Sequence, residues 1–582
     1  MFLPTTQEEV KQMGWDGLDV ILVSGDTYID SSYSGISVIG HVLADAGFRV
    51  GVIAQPDLHS PADITRLGEP LLYWGVSAGC VDSMVANYTA LRKKRRTDDF
   101  TPGGENTRRP DRASIGYANL IREYFKQTRP IVLGGVEASL RRIAHYDYWN
   151  DKVRKSVLFD AKADVIVYGM GERAALDLAW AYREGHTIDD IRGICYIAKQ
   201  PREHYLELPN FAQVSTDKEQ FRKMFTMFYR NNDPLTARGL VQQYDNRYLI
   251  QNPPAFNPTE QELDRIYGLA YERDVHPYYK KLGTVRALNT IRYSVTTHRG
   301  CYGECNFCAI AVHQGRTIVS RSEASIVHEI ESMTQEKDFK GYISDVGGPT
   351  ANMYGFECEK KITKGSCPAK RCIFPTACDE LPISHERQVD LLKKIRGMRG
   401  VRKAFVASGL RYEMILQDDT WGERYLDDLV EHHVSGQLKI APEHISHGVL
   451  AAMGKPANEY LEEFKRRFDA LNERSGKKQF LTYYLIAAHP GCDLEEMEEL
   501  KRYATQVLEI NPEQVQIFTP TPSTYSTLMY YTETDPFTGK PLFVEKNDVK
   551  KDRQKQAVTQ KDVGHFGRRP RGDSSGRRHR TS

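Results

Sequence analysis

Three cysteines in one short stretch are the residues of this chain whose type and spacing could do chemistry. Cys301, Cys305 and Cys308 lie in RGCYGECNFCAI, although the whole 582-residue chain has only ten cysteines. Disulfide frameworks are typical of small secreted domains, and this long sequence shows no charged-then-apolar leader at its start. A zinc site needs four ligands, and only Cys305 and Cys308 form a C-x2-C pair, which His298 or His313 could complete. Three thiolates that leave one position free suit an iron–sulfur cluster that binds an external ligand.

The elements around the triplet are predicted to place it between a strand and a helix. TIRYSVTTHRGC alternates the apolar residues Ile291, Tyr293 and Val295, which indicates a half-buried strand that ends at the loop. SRSEASIVHEIESM predicts the following helix, with Ser320 and Glu323 spaced as a capping box. The thiols should therefore lie at the carboxyl end of a strand.

The sequence after residue 286 repeats a strand and a helix six times. Strands are predicted at about 290–296, 342–346, 402–407, 437–441, 480–487 and 514–519. Six β/α units within residues 286–535 predict a partial (β/α)6 barrel, and chemistry in such barrels takes place on loops at the strand carboxyl ends. The cysteine triplet lies on the first of these loops.

The first 200 residues alternate short β-rich runs with helical patterns. The predicted strands are DVILVS, RVGVIA, LLYWGV, PIVLGG and DVIVYG, and GISVIGHVLADAG predicts a helix from Gly35 to near Gly47. This alternation predicts a Rossmann-like, doubly wound parallel sheet over residues 1–200. Residues 201–285 are rich in Pro, Asn and Tyr and are predicted to form a connector with one helix near TEQELDRIYGLAY.

Positive charge is concentrated at the carboxyl end. The net charge is +2, yet residues 550–582 hold eleven Lys and Arg and only three Asp. Residues 536–582 are predicted to be an extension and a disordered basic tail, because the end lacks the apolar surface that would offset its ordering entropy. Such a tail could contact nucleic acid or anionic lipid, but it is more often a solubilising end. The RKKRR run at 92–96 is predicted to be a solvated loop.

No apolar run approaches the roughly 18 to 20 residues that a membrane helix needs. We therefore expect no membrane contact and a cytoplasmic location.

The spacing C-x3-C-x2-C after the first strand of a six-unit barrel resembles the radical S-adenosylmethionine (SAM) superfamily. More narrowly, the chain resembles the YgiQ-type (UPF0313) radical SAM family through GVIAQPD, VLGGVEASLRR, THRGCYGECNFCAI, DVGGPTANMYG, ASGLRYE, LKIAPEH, AAHPGC and QIFTPTPST. The resemblance implies a [4Fe-4S] cluster on Cys301, Cys305 and Cys308, with Phe307 as the aromatic residue before the last ligand. It also implies that SAM binds the open iron and is cleaved to methionine and a 5′-deoxyadenosyl radical, with a flavodoxin- or ferredoxin-like electron donor.

The resemblance also points to residues that would bind SAM. The superfamily motif Gly-Gly-Glu holds the SAM amino group, and it maps here to Gly347, Gly348 and Pro349, so no carboxylate is available at position 349. Further residues near predicted strand ends are SAM or substrate contacts or, alternatively, make ordinary loop hydrogen bonds; they are Asp345, Ser408, Arg411 and Glu443. Three arginines flank the cluster loop and either stabilise an anionic cluster or are surface charges; they are Arg299, Arg316 and Arg321.

Four more cysteines lie between the second strand and the next clear helix. Cys358, Cys367, Cys372 and Cys378 stand in CEKKITKGSCPAKRCIFPTAC, with irregular spacing. A structural zinc, an auxiliary iron–sulfur cluster and free thiols all remain open for this Cys-rich insert, residues 358–378. The isolated Cys80, Cys195 and Cys492 are predicted to be packing residues.

A doubly wound domain before a radical SAM barrel resembles the arrangement of cobalamin-dependent members. Their lower-ligand motif is D-x-H-x-x-G, and the nearest match runs from Asp30 to Gly35 with Ser32 in place of the histidine. Cobalamin is therefore predicted to be unlikely. The nearby residues Glu137, Arg141, Arg142 and His145 either line the strand-end crevice, where they could bind an anionic substrate, or form a polar domain interface.

The leading hypothesis is a radical SAM enzyme of unknown, small-molecule or RNA substrate. One alternative is an RNA-modifying radical SAM enzyme, although the three N-terminal cluster cysteines of tRNA methylthiotransferases are missing, since only Cys80 and Cys195 occur there. The other alternative is a zinc-stabilised, non-catalytic binding protein.

Overall fold

The computed structural model describes residues 1–368 and 370–560. Buried apolar runs form its N-terminal sheet. The five predicted runs all form strands, and each of the five is buried over most of its length, as strands covered on both faces must be. The strands of this part of the chain are β1 (Val20–Ser24), β2 (Ile29–Asp30), β3 (Val50–Ala54), β4 (Tyr73–Ser77), β5 (Ile131–Gly134), β6 (His145–Asp147), β7 (Lys152–Arg154), β8 (Val165–Val167), β9 (Ile194–Ala198), β10 (Leu206–Leu208), β11 (Leu240–Tyr244), β12 (Arg247–Gln251) and β13 (Asp274–Val275).

Helices cover both faces of this sheet. They are α1 (Gln7–Gln12), α2 (Gly35–Asp45), α3 (Pro61–Ile64), α4 (Ser83–Asn87), α5 (Ala113–Tyr124), α6 (Gly135–Leu140), α7 (Val157–Asp160), α8 (Glu172–Glu184), α9 (Phe211–Thr216), α10 (Lys218–Arg230), α11 (Glu260–Tyr267), α12 (Pro277–Lys280) and α13 (Ala287–Ile291). Helix α2 begins at Gly35, as predicted, and the chain leaves it through Gly47 at a φ of +85°.

The N-terminal sheet has nine strands in the order β10-β11-β12-β9-β8-β5-β4-β1-β3. Its core, β8-β5-β4-β1-β3, is parallel throughout. Residues 201–285, which the sequence assigns to a connector, supply β10, β11 and β12 to the sheet edge, where β12 and β9 run antiparallel to their neighbours. The strand order reverses between β1 and β4, and open α/β sheets bind ligands at the carboxyl ends around such a point.

The second half of the chain forms an open barrel. Its strands are β14 (Ser294–Thr296), β15 (His298–Arg299), β16 (Val319–Ser320), β17 (Tyr342–Ile343), β18 (Asp345–Gly347), β19 (Lys403–Ala404), β20 (Gln437–Glu443), β21 (Phe480–Ala487) and β22 (Val515–Ile517). Its helices are α14 (Ile310–His313), α15 (Glu323–Thr334), α16 (Glu359–Lys364), α17 (Glu386–Gly397), α18 (Tyr412–Leu416), α19 (Gly422–Asp428), a π-helix (Leu429–His433), α20 (His447–Met453), α21 (Leu461–Ser475), α22 (Leu494–Gln506), α23 (Tyr525–Thr532) and α24 (Asp548–Thr559).

Parallel pairing follows the predicted order of the six barrel positions. β14 pairs with β18, β17 with β19, β20 with β21, and β21 with β22. A single parallel bridge from Leu410 to Ile440 links the third and fourth positions. Two local predictions differ: Ile291 ends helix α13 rather than lying in the first strand, and Ser322 rather than Ser320 caps α15, by accepting a hydrogen bond from the Ser325 amide.

The last described helix, α24, joins the two halves. It inserts Lys551, which is buried and donates from Nζ to the hydroxyls of Tyr148, at 3.0 Å, and Tyr530, at 3.1 Å. Part of the interval assigned to the extension and tail is thus a packed helix. Residues 561–582, where the disordered basic tail is predicted, lie outside the described residues. No helix in residues 1–368 and 370–560 has the length and apolar character needed to cross a membrane.

Replacing Lys551 by Met should lower the free energy of unfolding by about 1–3 kcal/mol, because two buried hydroxyls lose a charged partner. The midpoint of urea unfolding measures this. Lys550→Met, on the exposed face of the same helix, is the matched control and should change the midpoint little. Equal midpoints for both variants would contradict the joining role of Lys551.

Candidate functional site

The cysteine loop begins where strand β15 ends, and its thiols have polar neighbours on two sides. The Gly303 amide donates to Cys301 Sγ at 3.3 Å, and the Thr350 hydroxyl lies 3.3 Å from the same sulfur. Arg411 donates from Nη2 to Cys305 Sγ at 3.0 Å. The loop starts at Gly300, whose φ is +81° and where an added Cβ would lie 2.0 Å from the Thr317 carbonyl oxygen, so only glycine fits.

The three thiols sit in one electrostatic environment with Arg411. Burial raises the pKa of the Cys308 thiol to about 12, and the neighbouring sulfurs of Cys305 and Cys301 add to this effect. Burial alone would lower the pKa of the Arg411 guanidinium, but the sulfurs and the Glu413 carboxylate outweigh it and raise that pKa. A buried, permanently charged arginine therefore faces the loop.

The described residues contain no group of three or more His, Cys, Asp or Glu side chains that is already placed to hold a metal ion. The assignment of Cys301, Cys305 and Cys308 as cluster ligands therefore stays a prediction at this stage.

The glycine pair predicted to approach SAM lies at the end of β18, beside the end of the first strand. The Gly347 carbonyl accepts from the Thr297 amide at 2.7 Å and from the Thr297 hydroxyl at 3.1 Å. Gly348 lies flat against the imidazole of His298: an added Cβ would be 2.5 Å from Cε1 and 2.8 Å from Nε2 of that ring. Glycine at 348 is therefore what allows His298 to occupy this place.

Asp345 and Ser408, two other predicted contacts, bind each other. The Asp345 carboxylate accepts from the Ala407 amide at 2.7 Å, the Ser408 amide at 3.1 Å and the Ser408 hydroxyl. These bonds tie the second barrel strand to the segment after the third. The carboxylate is thus engaged within the protein.

Glu443 is buried near the loop, and Phe307 is half-buried there. Glu443 ends β20 with a φ of +67° and lies 3.7 Å from Lys455 Nζ. Burial raises the pKa of Glu443, against the opposing effect of Lys455 and Arg411. Phe307 contacts the cores of both halves and meets His489 edge-on, with ring centroids 6.3 Å apart.

Each arginine that flanks the loop has its own carboxylate. Arg321 binds Glu329 at 2.6 Å in the barrel interior, and Arg316 binds Glu304 at 3.0 Å. Arg299 crosses to the N-terminal domain, where it pairs with Glu172 at the start of α8 and donates to the Tyr267 hydroxyl at 3.1 Å. The described contacts of these arginines are therefore with carboxylates rather than with the thiols.

The Cys-rich insert packs against the cluster loop. Cys358, Cys372 and Cys378 share one apolar cluster with Cys301 and Tyr302. The Cys358 amide donates to the Tyr302 hydroxyl at 2.9 Å, and the Cys378 amide donates to the Cys372 carbonyl at 2.7 Å. Burial raises the pKa of Cys372.

Cys367 lies away from this apolar cluster. Its neighbour Ser366 donates to Asp233 Oδ2 at 2.8 Å, next to the end of α10. The insert therefore places three of its four cysteines in one apolar group of side chains. The choice between zinc, an auxiliary iron–sulfur cluster and free thiols stays a prediction.

The four N-terminal residues for which the sequence left a strand-end crevice or a polar domain interface open are buried within the N-terminal half. Glu137 accepts from the amides of Ser83, at 2.8 Å, and Ser114, at 3.1 Å. Arg141 pairs with Asp82, Arg142 donates to Gln251 at 3.2 Å, and His145 bonds the Ile143 carbonyl. These side chains form an internal polar network.

A cavity of about 490 Å³ lies where the carboxyl ends of the two sheets face each other. Gly35 and Cys80 line it from the N-terminal domain, and His298, Gly348 and Ser408 line it from the barrel. Cys80, predicted to be a packing residue, is exposed on this wall, and its amide donates to Asp26 Oδ2 at 2.6 Å. Cys195 and Cys492 are buried.

The cavity continues as a channel into the N-terminal domain. It runs between the sheet, where Leu22, Gly75 and Val132 line it, and the helices α2 and α8, where Val38 and Ala175 line it. The lining of this inner part of the cavity is therefore apolar. Its mouth carries serines and glycines of the strand-end loops.

Sequence patterns do not identify His298 and Cys80 as cavity residues. They offer His298 only as a candidate zinc ligand, because an alternating strand pattern does not show what a single polar residue at the end of the strand faces. The glycine at each strand end was the available signal, since it marked where the backbone leaves room for a ligand.

Replacing Gly348 by Ala should displace the His298 ring and lower the free energy of unfolding by about 1–3 kcal/mol, because the new methyl group has no space. Thermal or urea unfolding measures the effect. Gly409→Ala, on the same edge of the barrel with nothing within 4 Å of an added Cβ, is the control and should leave stability nearly unchanged. Equal stability of the two variants would contradict the close packing of residues 298 and 348.

Two family models match the chain in succession. The model described as Radical SAM N-terminal matches residues 2–294, and the model described as Radical SAM superfamily matches residues 295–504.

Curated relatives are similar to the chain over nearly its full length. The UPF0313 protein FN0734 of Fusobacterium nucleatum is 59% identical over 561 residues, which cover 96% of this chain and 99% of that protein. The UPF0313 protein of Thermotoga maritima is 47% identical over 567 residues, covering 97% and 99% of the two chains. That of the archaeon Methanocella arvoryzae is 48% identical over 560 residues, covering 95% and 92%.

A solved structure with a similar fold is the radical SAM methyltransferase TsrM of Kitasatospora setae, determined with cobalamin and a [4Fe-4S] cluster bound. The TM-score is 0.51 at 17% sequence identity, and the likeness covers 87% of this chain and 76% of TsrM. It confirms the predicted α/β class, a cobalamin-binding-like N-terminal sheet followed by a radical SAM barrel.

The prediction that cobalamin is unlikely is wrong. It relied on the missing histidine at Ser32, but the fold that this chain shares with TsrM is one that holds cobalamin in the solved structure. One absent axial ligand is therefore no argument against the cofactor.

Proposed function

Because this chain belongs to the UPF0313 family of radical SAM proteins, we propose that Cys301, Cys305 and Cys308 hold a [4Fe-4S] cluster at which SAM is cleaved reductively. The family membership makes the protein a radical SAM enzyme of unidentified reaction and sets aside the zinc-stabilised, non-catalytic alternative. The observation that supports the proposal is the position of the Arg411 guanidinium, which donates to Cys305 Sγ and whose pKa the sulfurs of Cys305 and Cys301 raise, at the loop after the first barrel strand.

The donor set of the loop fits such a cluster. Thiolates are the ligands that iron–sulfur clusters take, and three of them leave one iron open for the amino and carboxylate groups of SAM. Arg411 supplies a positive charge that would stabilise the thiolates and the anionic cluster. When bound, the cluster would supply the electron that splits SAM into methionine and a 5′-deoxyadenosyl radical.

The surrounding residues limit the access of water to this place. Cys308 is half-buried, Phe307 packs between the two cores, and the Cys-rich insert packs against Cys301. Exclusion of water protects a reactive carbon radical from side reactions. The cavity beyond Gly348 and Ser408 would receive the substrate.

Replacing Cys301 by Ala should abolish both cluster assembly and SAM cleavage. The protein is purified and reconstituted anaerobically, iron and sulfide are counted, and 5′-deoxyadenosine is measured after reduction by dithionite with SAM. We expect about four irons per chain in the wild type. About eight irons would indicate a further cluster at the insert.

Cys195→Ala is the matched control, since it removes a buried thiol in β9 of the N-terminal sheet. This variant should retain iron and SAM cleavage. Normal iron and 5′-deoxyadenosine in Cys301→Ala would refute the ligand assignment.

We also propose that the cavity between the domains binds a corrinoid. It lies at the strand carboxyl ends of an open α/β sheet, where such sheets bind ligands, and its inner part between the sheet and helices α2 and α8 has an apolar lining. The fold shared with TsrM supports the same proposal. Ser32 stands where the motif has histidine, so this loop supplies no imidazole to cobalt.

Replacing Ala175 by Leu should narrow the channel and weaken binding of hydroxocobalamin by about tenfold or more, because an added side chain in a packed channel costs at least about 1.4 kcal/mol. A titration followed by visible absorption measures the Kd. Ala179→Leu, buried on the same helix but away from the cavity lining, is the matched control. No binding by the wild type, or an equal effect of both variants, would refute the corrinoid site.

We further propose a cytoplasmic location and a flavodoxin- or ferredoxin-like electron donor. All ten cysteines lie within the described residues, and none of them forms a disulfide, as is typical of a reducing compartment. The RNA alternative stays a prediction, and loss of bound RNA with rising salt would support it.

A further inference from the structure

The RKKRR run at residues 92–96, here called the basic run, forms a positively charged strip on the surface of the N-terminal half. All five residues are exposed. The backbone of the run is fixed on both sides: the Arg95 amide donates to the Asn87 carbonyl at 2.7 Å, and the Arg96 carbonyl accepts from the Asn106 amide at 3.0 Å. Because the backbone is already held, a bound anion does not have to order it, and less conformational entropy is lost on binding.

Most charges of the basic run have no partner inside the protein. The side chains of Lys93, Lys94 and Arg96 make no hydrogen bond or ion pair with any other residue that the structure describes. The Arg95 guanidinium donates to two backbone carbonyls, which do not neutralise its charge. Closely spaced like charges repel one another, and a polyanion that binds them relieves this repulsion and releases its own counterions.

An open cavity of about 600 Å³ lies beside the basic run. Four positively charged residues line it; they are Lys94, Arg95, Arg96 and Arg286. The Arg286 guanidinium lies close against Gly104, where an added Cβ would be 2.9 Å from its Cζ. Glu105 also lines the cavity, and Asp99 lies 3.9 Å from Arg286 Nη1, an exposed and therefore weak pair. The excess of positive charge suits phosphate groups, which arginine binds through paired hydrogen bonds.

Two aromatic side chains border the basic run. Tyr88 forms an antiparallel bridge with Lys94, and the centroid of its ring lies 5.6 Å from that of Trp149. Both aromatic residues are half-buried, so each keeps surface that a ligand can reach. Nucleic-acid bases stack on such rings, whereas lipid headgroups and inorganic phosphate have no base to stack. The combination of cations and aromatic rings therefore favours a nucleic acid.

The positively charged surface continues onto helix α24. Arg92 lies over the ring of Tyr148, 4.8 Å from its centroid, and Lys551 of α24 lies 5.0 Å from the same centroid. Lys550 and Arg553 of this helix are exposed and have no ion-pair partner within the described part of the chain. The sequence beyond the described residues ends in GRRPRGDSSGRRHRTS, which is also rich in arginine. The surface is thus long enough in charge to follow an extended polyanion.

We propose that the basic run, the cavity beside it and helix α24 together bind a single-stranded nucleic acid. The positive side chains contact its phosphates, and Tyr88 and Trp149 stack on its bases. None of these residues lies on the cysteine loop or lines the cavity between the two sheets. The inference is therefore independent of the proposed cluster chemistry, and it adds a binding surface and a class of partner to the enzyme.

The test measures Kd by fluorescence anisotropy, with labelled oligouridine and oligothymidine of about 20 nucleotides as probes, at salt concentrations from about 50 to 200 mM. The combined variant Lys93→Gln, Lys94→Gln and Arg96→Gln should bind both probes at least about tenfold more weakly. It should also lower the slope of log Kd against log salt by about two, because each phosphate contact on a single strand contributes about 0.7. Tighter binding of oligouridine than of oligothymidine would identify the ligand as RNA, and the reverse would identify DNA.

The matched control removes the same charge from three exposed lysines outside this surface, as Lys199→Gln, Lys340→Gln and Lys478→Gln. This combined variant should keep Kd within about twofold of the wild type, since binding then depends on local contacts rather than on net charge.

A second variant tests the aromatic contribution. Trp149→Ala should weaken binding about fivefold or more, because the stacking of one base is lost, and Trp149→Phe should retain most of the affinity. Thermal melting of every variant shows whether it is folded.

Three results would overturn the inference: no binding of either oligonucleotide at about 50 mM salt, equal weakening by the two combined lysine and arginine variants, or binding to phosphatidylserine vesicles without binding to the oligonucleotides. The combined variant of the basic run should keep its iron content and its formation of 5′-deoxyadenosine. A wild-type protein that assembles no iron–sulfur cluster but binds the oligonucleotides as described would contradict the proposed function and leave this inference standing.

Discussion

The meeting of two sets of parallel-strand carboxyl ends is the constraint on which the site depends. The N-terminal sheet and the barrel each bring their strand-end loops to one shared cavity. The buried ion pair of Arg299 with Glu172 joins the two sides within two residues of Cys301. Burial alone would raise the pKa of Glu172, but Arg299 outweighs it and holds that pKa below its usual value. A lone charge here would be strongly destabilising, so the pair favours one arrangement of the domains.

This arrangement explains why the barrel alone would be an incomplete site. The cysteine loop is covered by the insert on one side, and the cavity is closed by loops of the N-terminal domain on the other. Helix α24 reinforces the contact from a distance through Lys551 and Tyr148. Radical chemistry needs a dry, enclosed space, and here the enclosure comes from three separate parts of the chain.

Some polar side chains near the loop have hydrogen-bond partners inside the protein, and others have none. Asp345, Arg321 and Glu137 spend their hydrogen bonds on the scaffold. His298 Nε2 has no hydrogen-bond partner within the described residues, and its ring packs against Gly348. Spacing in the sequence does not reveal this difference.

Much of the fold could be predicted because its signals are local. The five buried N-terminal strands, helix α2 and the six barrel positions follow from apolar runs, periodicity and glycine stops, and the cysteine triplet follows from three residues within eight positions. Motif resemblance added the cofactor chemistry. The predicted element ends were wrong by a few residues at Ile291, which ends helix α13 instead of lying in the first strand, and at Ser322, which caps α15 in place of Ser320.

The remaining features depend on contacts between residues far apart in the chain. Strands β10, β11 and β12 join the sheet only because β9 offers them an edge, and Cys80 reaches a cavity because β4 lies at its mouth. The Thr297 amide and hydroxyl, beside His298, both donate to the carbonyl of Gly347, about fifty residues later in the chain. The sequence by itself thus determined the helices, the strands and the reactive thiols. Tertiary packing decided which polar atoms are left to bind a ligand, because only packing determines which hydrogen bonds are already made.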